Sequence, residues 1–197
     1  AEKCVEILGP QRVFAATSTH GAWRPSAGVV NWAGKGQTVL GSLPGGPGEI
    51  EAKPLLDAFS SAGLEPVWSS DGLATIWKKV LLNIAINPLA ALAGVENGAL
   101  LEPDLFSSAF STMLEGAAVA RTERVNVPDD AELEILLRQV LTATSSNICS
   151  MLQDIRAGRN TEIAVLNQAI TARGERAGLA TPLNQMLTSM IKALHPQ

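Results

Sequence analysis

The chain changes character near Asp71, and that division constrains its fold more than any other feature. Before it, glycine and proline are dense, and GAWRPSAG, WAGKGQ and GSLPGGPGE read as turn punctuation. Between these turns lie short β-prone runs, Arg12–Thr19, Gly28–Trp32 and Gln37–Leu40. Gly48–Ala62 reads as an amphipathic helix with Ile50, Pro54, Leu55, Ala58 and Phe59 on one side. Its start is expected near Ala52, because only then does Pro54 fall in the tolerant first turn. Leu64–Ser69 reads as another short strand, so this first part has an α/β pattern.

After Asp71 the pattern is helical throughout. One helix is expected over Thr75–Leu92 with a kink at Pro88, and a second over Asp104–Arg124. Asp129 or Asp130 can cap a third that runs from Ala131 towards Gly158 with a break inside it. Asn160 is expected to cap a helix from Thr161 to near Gly178, and Pro182–Leu194 forms the last. The fold class is therefore mainly α: a small α/β segment, residues 1–71, precedes an all-α domain, residues 72–197.

Composition narrows the function. With 46% hydrophobic and 17% charged residues among 197, the chain can bury a sizeable core and is not of disordered type. A net charge of −4 argues against nucleic-acid and anionic-membrane partners. The longest apolar stretch, Val80 to Val95, is too short to span a bilayer and is interrupted by Asn83, Asn87 and Pro88. The first residues, AEKCVEILGP, lack the apolar core of a signal peptide. Cys4 and Cys149 match no metal or redox spacing and read as reduced thiols of a cytoplasmic protein. No Gly-x-Gly-x-x-Gly, Walker loop, metal-ligand pair or nucleophile elbow occurs, so no metal is expected.

Two clusters can carry chemistry. In WKKVLLNIAINPL, Lys79, Asn83 and Asn87 recur every four residues, which places them on one helix face with a drift of about 40° per step. Polar groups in so apolar a helix need partners, or each costs about 1–3 kcal/mol. Either Lys79 is one of two surface lysines and the amides bridge to neighbouring helices, or the stripe faces a cleft and Lys79 can protonate a developing alkoxide. Pro88 also frees a backbone carbonyl one turn earlier. In NICSMLQDIRAGRNTEI, Asn147, Ser150 and Asp154 share a face. Glu162 would diverge from Ser150 by about 120° on a straight helix, and a break at Gly158 and Asn160 could fold it back. The alternative is helix punctuation plus an Arg–Asp surface pair. His20 could act as a base, although a lone histidine is more often structural, and His195 is discounted because it sits in the tail.

Three segments in order, TSTHGAWR…GVVNWAGKGQTVLG, WKKVLLNIAINPLAAL…NG and NICSMLQDIRAGRNTEI, resemble the ketopantoate reductase (2-dehydropantoate 2-reductase) family, with the likeness running from about Gln11 to Leu187. The resemblance implies a Rossmann domain followed by a helical domain like the C-terminal domain of 6-phosphogluconate dehydrogenase. It also implies NADPH-dependent reduction of a small 2-keto acid in pantothenate synthesis. By the same resemblance, Lys79 corresponds to the catalytic proton donor, and Asn83, Asn87, Asn97 and Ser150 correspond to substrate-binding positions. Ala22 (through its backbone) and Glu162 correspond to cofactor-binding positions. The chemistry is consistent with this, since a positioned ammonium stabilises and then protonates the oxygen that gains charge when a ketone is reduced.

The departures are equally specific. The family's opening strand with its Gly-rich phosphate turn is absent, as is an Asn-Gly pair whose Asn contacts substrate and cofactor, and Gln168 stands where many members have glycine. The chain therefore resembles a C-terminal portion: the last strands of a dinucleotide domain and the helical catalytic domain. It is expected to carry the substrate side and to bind NADPH poorly. Two alternatives remain: a non-catalytic helical binding or dimerisation module, whose exposed sheet edge favours a homodimer, and a family member that reduces another 2-keto acid.

Overall fold

The computed structural model describes residues 2–194, apart from the side chains of Trp23, Arg24 and Ala33. His195 lies outside the described residues. The chain forms two compact units that divide between Lys79 and Val80.

In the first unit, glycine-closed turns let short strands pair. The order is α1 (Glu2–Leu8), a 3-10 turn Pro10–Arg12, β1 (Ala15–Ser18), β2 (Gly21–Ser26), β3 (Val29–Gly34), β4 (Thr38–Gly41), α2 (Glu49–Ser61), β5 (Pro66–Ser69) and the start of α3 (Gly72–Ala93). One sheet has the order β1-β4-β5. β4 runs antiparallel to β1 and parallel to β5, with Val39 opposite Val67, and α2 is the crossover that a parallel pair requires. Val13, Ala15 and Leu43 form a buried cluster on which Val5 and Ile76 pack. The start of α3 comes so close to this sheet that a Cβ on Gly72 would lie 2.6 Å from both Ala15 Cβ and Ser42 O.

Three expectations for this unit are corrected. GAWRPSAG is not a turn but mostly strand: β2 pairs with β3, and only Ala27–Gly28 turns, with Gly28 at φ +79°. A two-residue connection with a left-handed glycine suffices to close the hairpin, and Pro25 sits at a register break where no ladder N–H is needed. Helix α2 begins at Glu49, not near Ala52, because the Glu51 carboxylate takes the Gly48 N–H at 3.0 Å and fixes the earlier start. Pro54 is thus interior, and the carbonyl it leaves unbonded belongs to Ile50, which is 86% exposed. The inward stripe of α2 is also not the expected one. Ala52 is fully buried and Leu56 and Phe59 half-buried, while Ile50 and Leu55 face outwards.

The second unit is all helix, as expected of the mainly α class. After α3 and a 3-10 turn at Asn97–Leu101 come α4 (Pro103–Thr122), α5 (Asp130–Ala143), α6 (Ser150–Arg156), a 3-10 turn at Glu162–Ala164, α7 (Asn167–Ala177) and α8 (Pro182–Leu194). Leu81, Ile84, Met113, Leu137, Ile170 and Leu187 are fully buried at its centre. Asp129 caps α5 by accepting from the Glu132 N–H at 2.9 Å, and the expected break falls between Ala143 and Ser150.

The helix expected from Thr161 is overturned. Asn160 caps nothing there. A 3-10 turn ends at Ala164, the backbone turns at Leu166 (φ −104°, ψ −102°), and α7 starts at the wholly buried Asn167. Pro88 lies inside α3 without ending it. With Leu73, Ile76 and Trp77 added ahead of Val80, α3 reaches 22 residues and a mean hydropathy of 1.3, enough by length and composition to cross a membrane. Half of that apolar window is buried inside the protein, as in a core helix.

Candidate functional site

In the first unit, the Asp71 carboxylate accepts the Ala74 N–H at 2.9 Å and the Gly72 N–H bonds Ser42 O at 2.9 Å, which anchors the first turn of α3. Two turns on, Lys78 and Lys79 are both exposed, but they are not equivalent. Lys79 Nζ donates to the carbonyl of Ser18, the last residue of β1, at 2.8 Å. Ala22 is exposed and opposes Trp32 in the hairpin. His20 lies between Ser18 and Ala22, half-buried, its Nδ1 accepting the Gly36 N–H at 3.1 Å.

In the second unit, Asn83 is half-buried, Asn87 and Asn97 are buried, and Ser150 and Glu162 are exposed. Three contacts bind the segment around Ser150 to α3 and the turn that follows it. The Asn97 N–H donates to Asn147 O at 2.9 Å, Cys149 Sγ donates to Asn87 O at 3.5 Å, and Arg156 Nη2 donates to Gly94 O at 3.4 Å. The elements that carry Asn87, Asn97 and Ser150 are thus brought together. Asn97 Nδ2 donates to Thr144 Oγ1 at 3.0 Å, while its buried Oδ1 has no partner among the described residues. Asp154 accepts from Arg159 Nε at 2.9 Å, the acid–base pair read from the sequence, and this closes the turn at Gly158 that precedes Glu162. Burial pushes the Cys149 thiol above its ordinary pKa, partly offset by the N–H groups of Leu152 and Met151.

One buried network was missed. Pro88 has no N–H for the Ile84 carbonyl, and the Asn167 amide supplies the donor instead, Nδ2 to O at 3.0 Å. The same Nδ2 donates to Asn184 Oδ1 at 3.0 Å. Asn184 Nδ2 in turn donates to Glu115 at 2.8 Å, and Glu115 also takes the Leu183 and Asn184 N–H groups at the start of α8. The available signal was Pro88 itself, since a proline inside a buried helix requires a donor from elsewhere.

Among the described residues no group of three or more His, Cys, Asp and Glu could hold a metal. The helix starts that follow β4 and β5 are taken by the protein's own carboxylates, Glu51 on the Gly48 N–H and Asp71 on the Ala74 N–H. Each carboxylate thus occupies one N–H group of its helix's first turn.

In the first unit β4 and β5 form a parallel pair that is followed in sequence by α3, which carries Lys79, and the second unit is all helix. Residues 71–195 match the family described as "Ketopantoate reductase PanE/ApbA C terminal". A 2-dehydropantoate 2-reductase from Pyrococcus horikoshii is 36% identical over 193 residues, 98% of this chain and 62% of its own length. One from Halobacterium salinarum is 35% identical over 95% of this chain and 61% of its own length. Among solved structures, the 2-dehydropantoate 2-reductase of Geobacter metallireducens superposes with a TM-score of 0.88 at 26% identity, covering 98% of this chain and 64% of that protein. A D-mandelate dehydrogenase with NADH and anilino(oxo)acetate gives 0.90 at 28%, covering 98% and 63%. The chain belongs to the ketopantoate reductase family and corresponds to its C-terminal portion. It spans about 62% of the length of the P. horikoshii relative.

Proposed function

We propose that this chain carries the substrate side of an NADPH-dependent reductase that converts 2-dehydropantoate to pantoate. In this reading residues 72–197 are the helical catalytic domain, and residues 1–71 belong to an incomplete dinucleotide domain. The cofactor, when bound, delivers hydride to the ketone carbon. Lys79 gives its proton to the ketone oxygen, and the Asn83, Asn87 and Asn97 amides hold the substrate's hydroxyl and carbonyl groups. The Ser150 hydroxyl donates to the carboxylate. Ala22, through its backbone, and Glu162 are the proposed contacts to the nicotinamide end. The observation that supports this most is the set of bonds that gathers the Asn87, Asn97 and Ser150 segments. The proposed partner is a small keto acid. Nucleic acid and membrane are not proposed partners, given the net charge of −4. A cytoplasmic location and self-association as a homodimer complete the reading.

The likeness to D-mandelate dehydrogenase favours a second reading, a family member that acts on another 2-keto acid. Calorimetry on the purified chain tests both. Ketopantoate is expected to bind, Ser150→Ala to weaken binding about tenfold, and NADPH oxidation to be absent. Binding of phenyl-substituted 2-keto acids in place of ketopantoate would select the second reading. NADPH oxidation with ketopantoate at ordinary enzyme rates would overturn the claim that the phosphate seat is missing.

A further inference from the structure

We propose that His20 is a positioning residue for Lys79: it clamps the turn that aims the Ser18 carbonyl at the lysine ammonium. The inference rests on Lys79 being the proton donor of the reading above. A lysine on a four-carbon stem loses rotamer entropy when it is held in one place. Its ammonium has three N–H donors, and anchoring one of them restricts where the other two point. The anchor is the Ser18 carbonyl at 2.8 Å.

A backbone carbonyl can serve as an anchor only if its peptide plane is fixed. In a trans peptide the C=O of one residue and the N–H of the next point in opposite directions. The Thr19 N–H donates to Gln37 O at 3.0 Å, which turns the Ser18 C=O the other way, towards Lys79. The Gln37 N–H returns a bond to Thr19 Oγ1 at 2.8 Å, and the His20 N–H bonds Ser18 Oγ at 3.2 Å. Residues 18–20 are therefore locked to residues 36–37, and His20 closes the last link by accepting the Gly36 N–H on Nδ1 at 3.1 Å. This bond requires Nδ1 to be unprotonated, so the neutral ring carries its proton on Nε2. Gly36 is part of the device, because a Cβ there would collide with the Thr19 carbonyl group and the His20 nitrogen. Every group named lies in one compact unit.

The test is competitive trace acetylation of the folded chain, read by mass spectrometry as the Lys79:Lys78 labelling ratio. Lys78 is the reference because it shares the helix turn and is also exposed, so general loosening of the helix raises both signals. His20→Leu removes the acceptor. His20→Asn retains one, since the asparagine Oδ1 is attached to Cγ as the imidazole Nδ1 is. The ratio is expected to rise about two- to tenfold in His20→Leu and in Gly36→Ala, and to stay near the starting value in His20→Asn. An unchanged ratio in His20→Leu, or equal rises in the Leu and Asn variants, would overturn the proposal. Ketopantoate is expected to protect Lys79 in the unsubstituted chain. A ratio that responds to His20 as described without such protection would uphold the clamp and remove the reductase reading.

Discussion

The Asn167 amide is the donor that a proline in the middle of α3 makes necessary, and this can be tested by substituting both residues. Asn167→Ala leaves two buried acceptors, Ile84 O and Asn184 Oδ1, without the donor they now share at 3.0 Å each. An unpaired buried acceptor costs about 1–3 kcal/mol. The substitution also removes Asn167 Oδ1, which is buried and has no partner among the described residues, and this returns part of that cost. The net loss is about 2–4 kcal/mol. Pro88→Ala restores a backbone N–H four residues beyond Ile84, so the carbonyl regains an in-helix donor. In that background Asn167→Ala is expected to cost about 1–2 kcal/mol less, a coupling well above the additivity error for separate sites. Urea unfolding followed by circular dichroism at 222 nm on the four proteins of the cycle gives the number. Equal costs for Asn167→Ala in both backgrounds would refute the argument, because the Ile84 carbonyl would then not be what Asn167 serves.

Three further outcomes follow from burial and close approach. Cys149 is buried and Cys4 exposed, so iodoacetamide is expected to alkylate Cys4 at pH 8 and leave Cys149 intact in the folded chain; comparable rates would contradict the burial. Because burial raises the Cys149 pKa, its contribution is fully present below the unfolded thiol value of about 8.5 and is lost as pH rises above it. Melting at pH 7.5 and pH 9.5 should show a loss that Cys149→Ser lacks. Gly72→Ala would force its Cβ against Ser42 O and the Gly41 carbonyl carbon at 2.6 and 2.8 Å, and is expected to cost about 1–3 kcal/mol in the same urea assay. A neutral Gly72→Ala would mean that the contact of α3 with the sheet yields easily.

Much of the fold was legible because it depends on residue type. Dense glycine and proline announced short strands, and the Ala- and Leu-rich remainder announced helices. The Asp129–Asp130 pair marked the start of α5, and Asp129 is the residue that caps it. The hairpin strand β2 was hidden because Pro25 and two glycines read as turn residues, although a register break accommodates the proline. The inward stripe of α2 was hidden because the helix carries two apolar stripes, and its sequence does not say which one faces β5.

The candidate site divides in the same way. The spacing of Lys79, Asn83 and Asn87 was visible because side chains four residues apart share a helix face. The contacts that hold Lys79, Asn97 and the Ser150 segment were not, because their acceptors are the main-chain carbonyls of Ser18, Asn147 and Asn87, which any residue could supply. Such contacts still leave a trace where two backbones must come close. Gly36 lies against Thr19 and His20 beside the Lys79 anchor. Gly98, next to Asn97, donates to Ser145 O at 2.9 Å, and a Cβ there would stand 2.8 Å from Ser145 Cβ. Glycines that look like loop punctuation thus mark where two backbone segments come close beside a candidate site residue. Substituting them should displace Lys79 and Asn97 while leaving both side chains intact.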